Sequence, residues 1–285
     1  MRRGRRFAVV ALSAALGSGC FAATNVDRFH EAAEAGPRAY DDLKFTLRGA
    51  TAHVGHFFEY RVIDANNFIQ SRGMVEAMPS PDVTLFAPRA VPRTNGPYRI
   101  DFWSDKSGLS VYQGLGKDNK AAHAWRINPV TDIPAQGSPD DGVFDIVYDH
   151  NTVFTDINEY PSGTPNPAKS VGGDAVVHFK NMHRHMEHLL QMRISESGTG
   201  HVIGIYRVAK LAKPDIDLRI PGVVDVDVDY MVDVYSDDNG NGQYDSPTVA
   251  GGDYGWRIPR TSNGSLELGF DPDQLPDHTV DVGPP

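Results

Sequence analysis

The sequence predicts an all-β protein made of two tandem β-sandwich domains that arose from an internal duplication. Three observations favour this fold: short segments in which apolar and polar residues alternate, a repeat of those segments 132 residues further along the chain, and a connector rich in Pro, Gly and Ser between the copies. An apolar content of 40% and a charged content of 22% are typical of globular proteins, so general disorder is excluded.

The repeat is clearest in two pairs of windows. "HVGHFFEYRV" at 53–62 matches "HMEHLLQMRI" at 185–194, and "YRIDFWSDKSGLSVY" at 98–112 matches "YMVDVYSDDNGNGQY" at 230–244. The identical pairs are His53/His185, His56/His188, Arg61/Arg193, Tyr98/Tyr230, Asp101/Asp233, Ser104/Ser236, Asp105/Asp237, Gly108/Gly240 and Tyr112/Tyr244. Chance would give about one or two such identities, so we interpret the repeat as a duplicated domain.

Each copy is predicted to consist of strands. Phe58, Tyr60 and Val62 alternate with Glu59 and Arg61, which is the period-two pattern of a half-buried strand. The first copy contains about seven such segments, near 43–49, 56–63, 73–78, 82–87, 97–104, 121–127 and 142–149. Seven short strands in little more than a hundred residues are typical of an immunoglobulin-like sandwich, with a cupredoxin-like barrel as the alternative. We therefore expect two tandem immunoglobulin-like β-sandwich domains.

The predicted organisation has five parts. Residues 1–23 are a signal peptide, and 24–42 are a spacer with one short helical turn. Residues 43–156 form the first sandwich, the Pro, Gly and Ser-rich segment 157–173 is a linker, and 174–285 form the second sandwich.

The N-terminus has the pattern of an export signal. Four arginines precede an apolar run from Phe7 to Leu16, which is too short to cross a bilayer. The stretch "LGSGC" resembles a bacterial lipobox, although Gly17 stands where a Leu-like residue is usual. The resemblance implies lipidation of Cys20, the only cysteine, and anchoring to the cell envelope. The alternative is ordinary cleavage near Ala22 or Ala23. Both readings place the protein outside the cytoplasm.

The charge of the chain argues against nucleic-acid binding. The formal net charge is −10, and removing the four arginines of the signal peptide leaves −14. An acidic surface repels phosphate backbones, so we expect a protein or glycan partner at the cell envelope and no nucleic acid.

A candidate calcium loop lies in "YSDDNGNGQYDSP" at 235–247. Side-chain oxygens recur at loop positions 1, 3, 5 and 9, and a glycine at position 6 permits a sharp turn. The predicted ligands are Asp237, Asn239, Asn241, Gln243 and Asp245. The pattern resembles the calcium loops of dockerin modules and of B-type sandwich repeats in bacterial surface adhesins. It departs at position 12, where Thr248 replaces the bidentate Glu; Asp233, Asp238 or Asp253 could supply the missing carboxylate.

The first copy offers an internal comparison for this loop. There Asp105 and Ser107 remain, but Leu109 and Gln113 occupy positions 5 and 9. Since neither position fits the calcium pattern, we expect no calcium in the first loop and a structural role for calcium in the second.

Histidines suggest a second kind of metal site. Neutral imidazoles suit zinc or copper, and two histidines with a gap of two residues can share one ion when a third ligand comes from elsewhere. The candidate ligands are His53, His56 and His123 in the first copy and His183, His185 and His188 in the second, where Tyr254 stands opposite His123. The competing interpretation is that these histidines are semi-buried parts of the core.

Other recurring residues are expected to be structural. Arg61 with Asp101, and Arg193 with Asp233, are predicted to form cross-strand ion pairs, and the tryptophans of the two "WRI" motifs to be core or rim aromatics.

No enzyme motif is present: the chain lacks a G-x-S-x-G elbow, a Walker loop and an H-E-x-x-H helix. We therefore expect a non-enzymatic, lipid-anchored envelope protein that acts as a calcium-stabilised binding or structural module. The alternative is a periplasmic or surface protein that binds copper or zinc through its histidine clusters.

Overall fold

The computed structural model of the chain describes residues 39–94, 96–128, 142–159, 165–241, 244–248, 251–275 and 278–283. Within these ranges the regular structure is β-strand, with four short 3₁₀ turns. The strands of the first half are β1 (Tyr40–Arg48), β2 (Phe58–Ile63), β3 (Ile69–Val75), β4 (Val83–Pro92), β5 (Arg99–Asp105), β6 (Ala122–Ile127) and β7 (Val143–Asp149). Those of the second half are β8 (Gly173–Phe179), β9 (Leu190–Glu196), β10 (Val202–Val208), β11 (Ile216–Val224), β12 (Val226–Ser236), β13 (Tyr254–Asn263) and β14 (Leu266–Phe270).

The first half is a sandwich of two layers. One layer has the order β4-β1-β7, in which β1 runs antiparallel to β4 and parallel to β7. The other has the order β3-β2-β5-β6 and is antiparallel throughout. The alternating burial along β1 follows from this packing, because successive side chains point to opposite faces and Leu43, Phe45 and Leu47 all turn towards the core.

The second half repeats this strand order. Its layers are β11-β8-β14 and β10-β9-β12-β13, and β8 pairs antiparallel with β11 and parallel with β14. The prediction of β-sandwiches is confirmed, and each half has the seven strands expected for the first copy. The same order in both halves agrees with the interpretation of an internal duplication.

The order of the strands within the layers is a finding that alternation alone did not predict. A constant-type immunoglobulin domain places its first, second, fifth and fourth strands in one layer and its third, sixth and seventh in the other. Here the first strand of each half lies between the fourth and the seventh. Period-two alternation reports which face of a strand is buried, and it contains no information about the neighbouring strand.

The two halves are joined through one continuous sheet. β3 and β10 pair in parallel over four residue pairs, from Arg72 opposite Gly204 to Val75 opposite Arg207. The resulting sheet has eight strands in the order β13-β12-β9-β10-β3-β2-β5-β6. Part of the connector also packs on the first half, since the Ile69 amide donates a hydrogen bond of 2.9 Å to the Lys169 carbonyl.

The hydrophobic core has one main cluster in each half, and one of these clusters extends across the boundary between the halves. One buried cluster fills the first sandwich around Phe45, Phe102 and Trp125. A larger cluster fills the second sandwich and continues into the first half, where it includes Met74 and Trp103. The two halves therefore share apolar packing as well as backbone hydrogen bonds. Trp125 and Trp256 are 1% and 2% exposed, which confirms that both belong to the core.

Buried ion pairs lie on the eight-stranded sheet. The Arg193–Asp233 pair is present at 2.9 Å, as predicted. The predicted Arg61–Asp101 ion pair is wrong: Arg61 instead donates to Glu59 at 2.6 Å. Asp101 is bound by Arg126, whose two contacts are 2.7 and 2.9 Å. Arg61 pairs with Glu59 and not with Asp101 because the Glu59 carboxylate is buried on the same strand as Arg61.

Glu59 is the most heavily engaged of these carboxylates. Besides Arg61 it accepts hydrogen bonds from Arg72 at 2.5 Å and from Trp103 Nε1 at 3.0 Å. Burial alone would raise the pKa of Glu59, but the two guanidinium groups outweigh it and lower the pKa from 4.5 to about 2. The ion pair therefore stabilises the fold above the unfolded-state pKa, and that stabilisation is lost as pH falls towards the folded-state pKa.

We expect Glu59→Gln to destabilise the protein by about 3–5 kcal/mol near neutral pH, because it leaves buried guanidinium groups without their counter-ion. The difference from the wild type should shrink as pH falls from about 4.5 to about 2, as the wild-type carboxylate becomes protonated. Urea unfolding over this pH range measures it. Asp118→Asn, in an exposed pair with Lys120, is the matched control and should change stability little. A Glu59→Gln penalty that stays constant with pH would contradict this assignment.

Candidate functional site

The predicted calcium loop begins at the end of β12. Asp237 is only 3% exposed, and its amide is fixed by a 3.0 Å hydrogen bond to the Leu189 carbonyl. Its carboxylate accepts the Gly240 amide at 2.9 Å, which turns the chain sharply after the strand. Asn239 continues the turn by accepting the Asn241 amide at 3.0 Å.

Three of the predicted calcium ligands contact one another in this loop, although no three His, Cys, Asp or Glu side chains of the described residues are placed to hold a metal ion together. The carboxylate of Asp245 accepts hydrogen bonds from the side-chain amides of Asn239 and Asn241, at 2.8 and 2.7 Å. The two Asn side chains thus present nitrogen to Asp245, and rotating their amide planes would present oxygen instead. Gln243, the remaining predicted ligand, and the position-6 glycine lie outside the described residues.

Asp253 is the carboxylate that completes the loop. It is 1% exposed and accepts hydrogen bonds from the Tyr235 hydroxyl at 2.6 Å and the Asp245 amide at 2.7 Å. Burial raises the pKa of Asp253, and the nearby carboxylates of Asp237 and Asp245 raise it further. The carboxylates of the loop and of Asp253 therefore lie close together, and Asp253 is buried away from solvent.

The other two candidates for the missing carboxylate are engaged elsewhere. Asp233 is bound by Arg257 at 2.7 Å as well as by Arg193. Asp238 faces His185, with 3.6 Å between its carboxylate and the ring. Of these three carboxylates, Asp253 is therefore the one that faces the loop. It lies directly before β13, and the loop pattern could not predict this position.

The corresponding loop of the first half is satisfied by its own hydrogen bonds. Asp105 accepts the Ser107 amide and hydroxyl, both at 2.7 Å, and the Ser110 amide at 2.6 Å. Burial would raise the pKa of Asp105, but these bonds outweigh it and the pKa is lowered. The charge of this carboxylate is therefore stabilised by its own loop.

The histidines of the first half converge at one end of the sandwich. His53 ends a 3₁₀ turn before β2 and is fully buried. Its Nε2 lies 3.3 Å from Nδ1 of His123 and 3.2 Å from Nε2 of His150, while the His56 ring is further away, with 6.3 Å between ring centroids. Burial, together with the neighbouring rings, lowers the pKa of His53 to about 3, so its ring is neutral at neutral pH.

His150 is the member of this cluster that the sequence analysis missed. It follows β7, which lies in the other layer of the sandwich, and no second histidine stands near it in the sequence. The parallel pairing of β7 with β1 brings it to the same end as His53. The repeat gave no signal for it either, because the matching register in the second half places Pro272 there.

The histidines of the second half do not assemble in the same way. His185 is buried and its Nδ1 lies 3.1 Å from the Ser236 hydroxyl. His183 is exposed, and His188 is half-buried beyond the end of the 3₁₀ turn. Tyr254, opposite His123 in the repeat, packs against His185 with 5.2 Å between ring centroids. The second half therefore has one histidine at the three positions where the first half has three, and His278 packs against Tyr254 nearby, with 4.4 Å between ring centroids.

Comparisons with known proteins do not identify a relative. No protein-family model matches the chain, and no curated protein matches it. The Bacillus anthracis TIE protein is 8% identical over 81% of this chain, which spans 33% of that protein, with a TM-score of 0.20. A candidate cell adhesion protein from Parabacteroides distasonis is 11% identical, with 87% and 92% of the two chains covered and a TM-score of 0.20. The major pilin protein of Streptococcus pyogenes is 7% identical, with 82% and 99% covered and a TM-score of 0.17.

Similarity at this level carries no argument about function. The fold is therefore assigned from the strand pairing described above, and the candidate site is assigned from the residues that form it. In the ranges that the structure covers, no helix has the length and apolar character needed to cross a bilayer.

Proposed function

We propose that this chain is an exported, lipid-anchored envelope protein that acts as a calcium-stabilised binding or structural module. The observation that carries the proposal is the loop of the second half, where the buried Asp253 lies beside Asp237 and Asp245 and has a raised pKa. Close carboxylates disfavour one another's ionised form unless a cation compensates them.

Calcium suits this loop better than other common cations. It takes six to eight oxygen ligands in a flexible geometry, and the loop offers carboxylate oxygens and Asn side-chain oxygens on a tight turn. Arg207 on β10 interacts with Asp237 and offsets part of the charge. Asp253, which already accepts three hydrogen bonds, holds the loop in place and adds its negative charge to the site.

The rest of the proposal comes from the sequence and the architecture. The signal peptide and the lipobox-like stretch support export and anchoring at Cys20, which lies outside the described residues. Sandwich ends formed by loops are common places for protein or glycan recognition. The acidic surface argues against nucleic-acid partners, and the absence of enzyme motifs favours a binding or structural role.

Calcium should stabilise the folded protein. At a free calcium concentration one hundred times the dissociation constant, the gain would be about 2.7 kcal/mol. For a cooperative unit of this size, that corresponds to an increase in melting temperature on the order of five to ten degrees. Differential scanning calorimetry with calcium and with a chelator measures it.

Matched variants assign this effect to one loop. Asp237→Ala and the isosteric Asp245→Asn should abolish the calcium response, whereas Asp105→Ala in the corresponding loop of the first half should leave it intact. If the chelator does not change the melting temperature of calcium-saturated protein, the calcium proposal fails.

Lipidation makes a separate prediction about location. Replacing Cys20 with Ser should move the protein from the membrane fraction to a soluble fraction, because an acyl chain buried in the bilayer is the source of the anchoring. Fractionation of expressing cells, followed by immunoblotting, measures this. Unchanged membrane association of the Cys20→Ser variant would count against the anchor.

A further inference from the structure

We propose that His53, His123 and His150 form a binding site for a borderline transition-metal cation, zinc or copper, at one end of the first sandwich. The site uses none of the residues of the calcium loop and lies in the other half of the chain. This proposal therefore goes beyond the calcium-stabilised module, and either proposal can be disproved without affecting the other.

The spacing of the ring nitrogens fits such a cation. Nε2 of His53 lies 3.2 Å from His150 Nε2 and 3.3 Å from His123 Nδ1. With zinc–nitrogen bonds of about 2.0–2.1 Å, two adjacent ligands of a tetrahedral site have nitrogens about 3.3 Å apart. The fold thus holds each neighbour of His53 at that distance from it. No three His, Cys, Asp or Glu side chains of the described residues are already placed to hold a metal ion together, so binding requires the His123 and His150 rings to turn towards each other.

Hydrogen bonding alone satisfies this arrangement poorly. A neutral imidazole nitrogen either donates one proton or accepts one along its in-plane direction, so His53 Nε2 can make one good bond and not two. The other nitrogen of the ring, Nδ1, is buried and has no hydrogen-bond partner among the described residues. A cation would instead accept the lone pairs of all three ring nitrogens. Because the rings bind as neutral imidazoles, any proton on a coordinating nitrogen moves to the other nitrogen of the same ring, and the rings rotate slightly.

The surroundings hold the ligand rings in place and leave access. Phe154 stacks on the His123 ring, with 3.9 Å between centroids. Trp125 packs edge-on against His53 and donates from Nε1 to the Asn151 carbonyl at 3.1 Å, which fixes the segment that carries His150. His123 and His150 are half-buried, so a cation can enter from solvent and a water or another donor can complete the coordination.

Lys106 is the neighbouring positive charge that binding must accommodate. Its Nζ lies 3.5 Å from Nε2 of His123, on the side of the ring away from His53. Lys106 is exposed, so its flexible side chain can turn into solvent when His123 binds a cation.

In the second half, two of the three positions that correspond to the proposed ligands carry other residues. His185, Tyr254 and Pro272 take the positions of His53, His123 and His150. His185 Nδ1 there contacts the Ser236 hydroxyl, whereas in the first half the corresponding Ser104 hydroxyl is buried and has no hydrogen-bond partner among the described residues. The duplicated fold therefore does not require three histidines at this place.

The experiment uses purified protein without a polyhistidine tag. The protein is saturated with Zn²⁺ or, separately, Cu²⁺, dialysed, and analysed by inductively coupled plasma mass spectrometry and isothermal titration calorimetry. We expect one tightly bound ion per chain. His123→Gln and His150→Gln should weaken binding at least about tenfold, because each removes a ligand.

Controls separate a metal site from a general effect on folding. His185→Gln changes the corresponding buried histidine and should keep the affinity of the wild type, as should Asp237→Ala in the calcium loop. Near-UV circular dichroism checks that each variant is folded. In the copper-loaded protein, nitrogen hyperfine splitting in the electron paramagnetic resonance spectrum should report imidazole ligands and disappear in part in His123→Gln. Absence of a tightly bound ion, or equal affinities in His123→Gln, His150→Gln and the wild type, would overturn the proposal.

Discussion

The parallel pairing of β3 with β10 is the constraint on which the rest of this structure depends. Without it, each half would end its four-stranded layer in an open edge, and an open edge exposes a row of unpaired backbone donors and acceptors. The pairing covers both edges at once and makes one eight-stranded sheet. It also places Met74 of the first half in the core cluster that fills the second sandwich. The chain is therefore better described as two sandwiches sharing a sheet than as two separate modules on a linker.

Buried charge on this sheet differs between the halves. In the first half Glu59 is buried between Arg61 and Arg72, beneath Trp103. The second half has Gln191 at the position of Glu59, and there Arg193 turns to Asp233 instead. A neutral residue at this position removes the carboxylate beside Arg193, and Arg193 pairs with Asp233 on the neighbouring strand. The two halves thus have different ion-pair arrangements on the same strand order. They also differ at Arg72 and Arg99, whose register positions in the second half carry Ile205 and Met231.

The ends of the two sandwiches differ from each other more than their strands do. One end of the first half carries converging imidazole nitrogens, which suit zinc or copper. The corresponding end of the second half replaces two of those rings, and its neighbouring loop carries carboxylate and amide oxygens, which suit calcium. Nitrogen and oxygen ligands select different cations, so the same strand order carries two different sets of candidate ligands.

Much of the strand content could be predicted from the sequence, because alternation at period two directly reports a half-buried strand. Each of the seven segments expected in the first copy overlaps a strand of the structure. The pairing partners could not be predicted, since β3 and β10 come from different copies and their contact leaves no periodic signal. His150 and Asp253 were missed or left among alternatives for the same reason: they meet their sites through strand pairing and not through spacing. Likewise, the repeat of Arg61 with Asp101 indicated an ion pair, but it could not show that Glu59 lies nearer.

The shared sheet is tested most directly by native-state amide hydrogen exchange in increasing denaturant, read residue by residue. If β3 and β10 hold the halves together as one cooperative unit, the slowest amides of β2 and β3 and those of β9 and β10 should converge on the same opening free energy. They should also have the same dependence on denaturant. Amides of one half that exchange through their own unfolding, while those of the other half stay protected, would contradict the account.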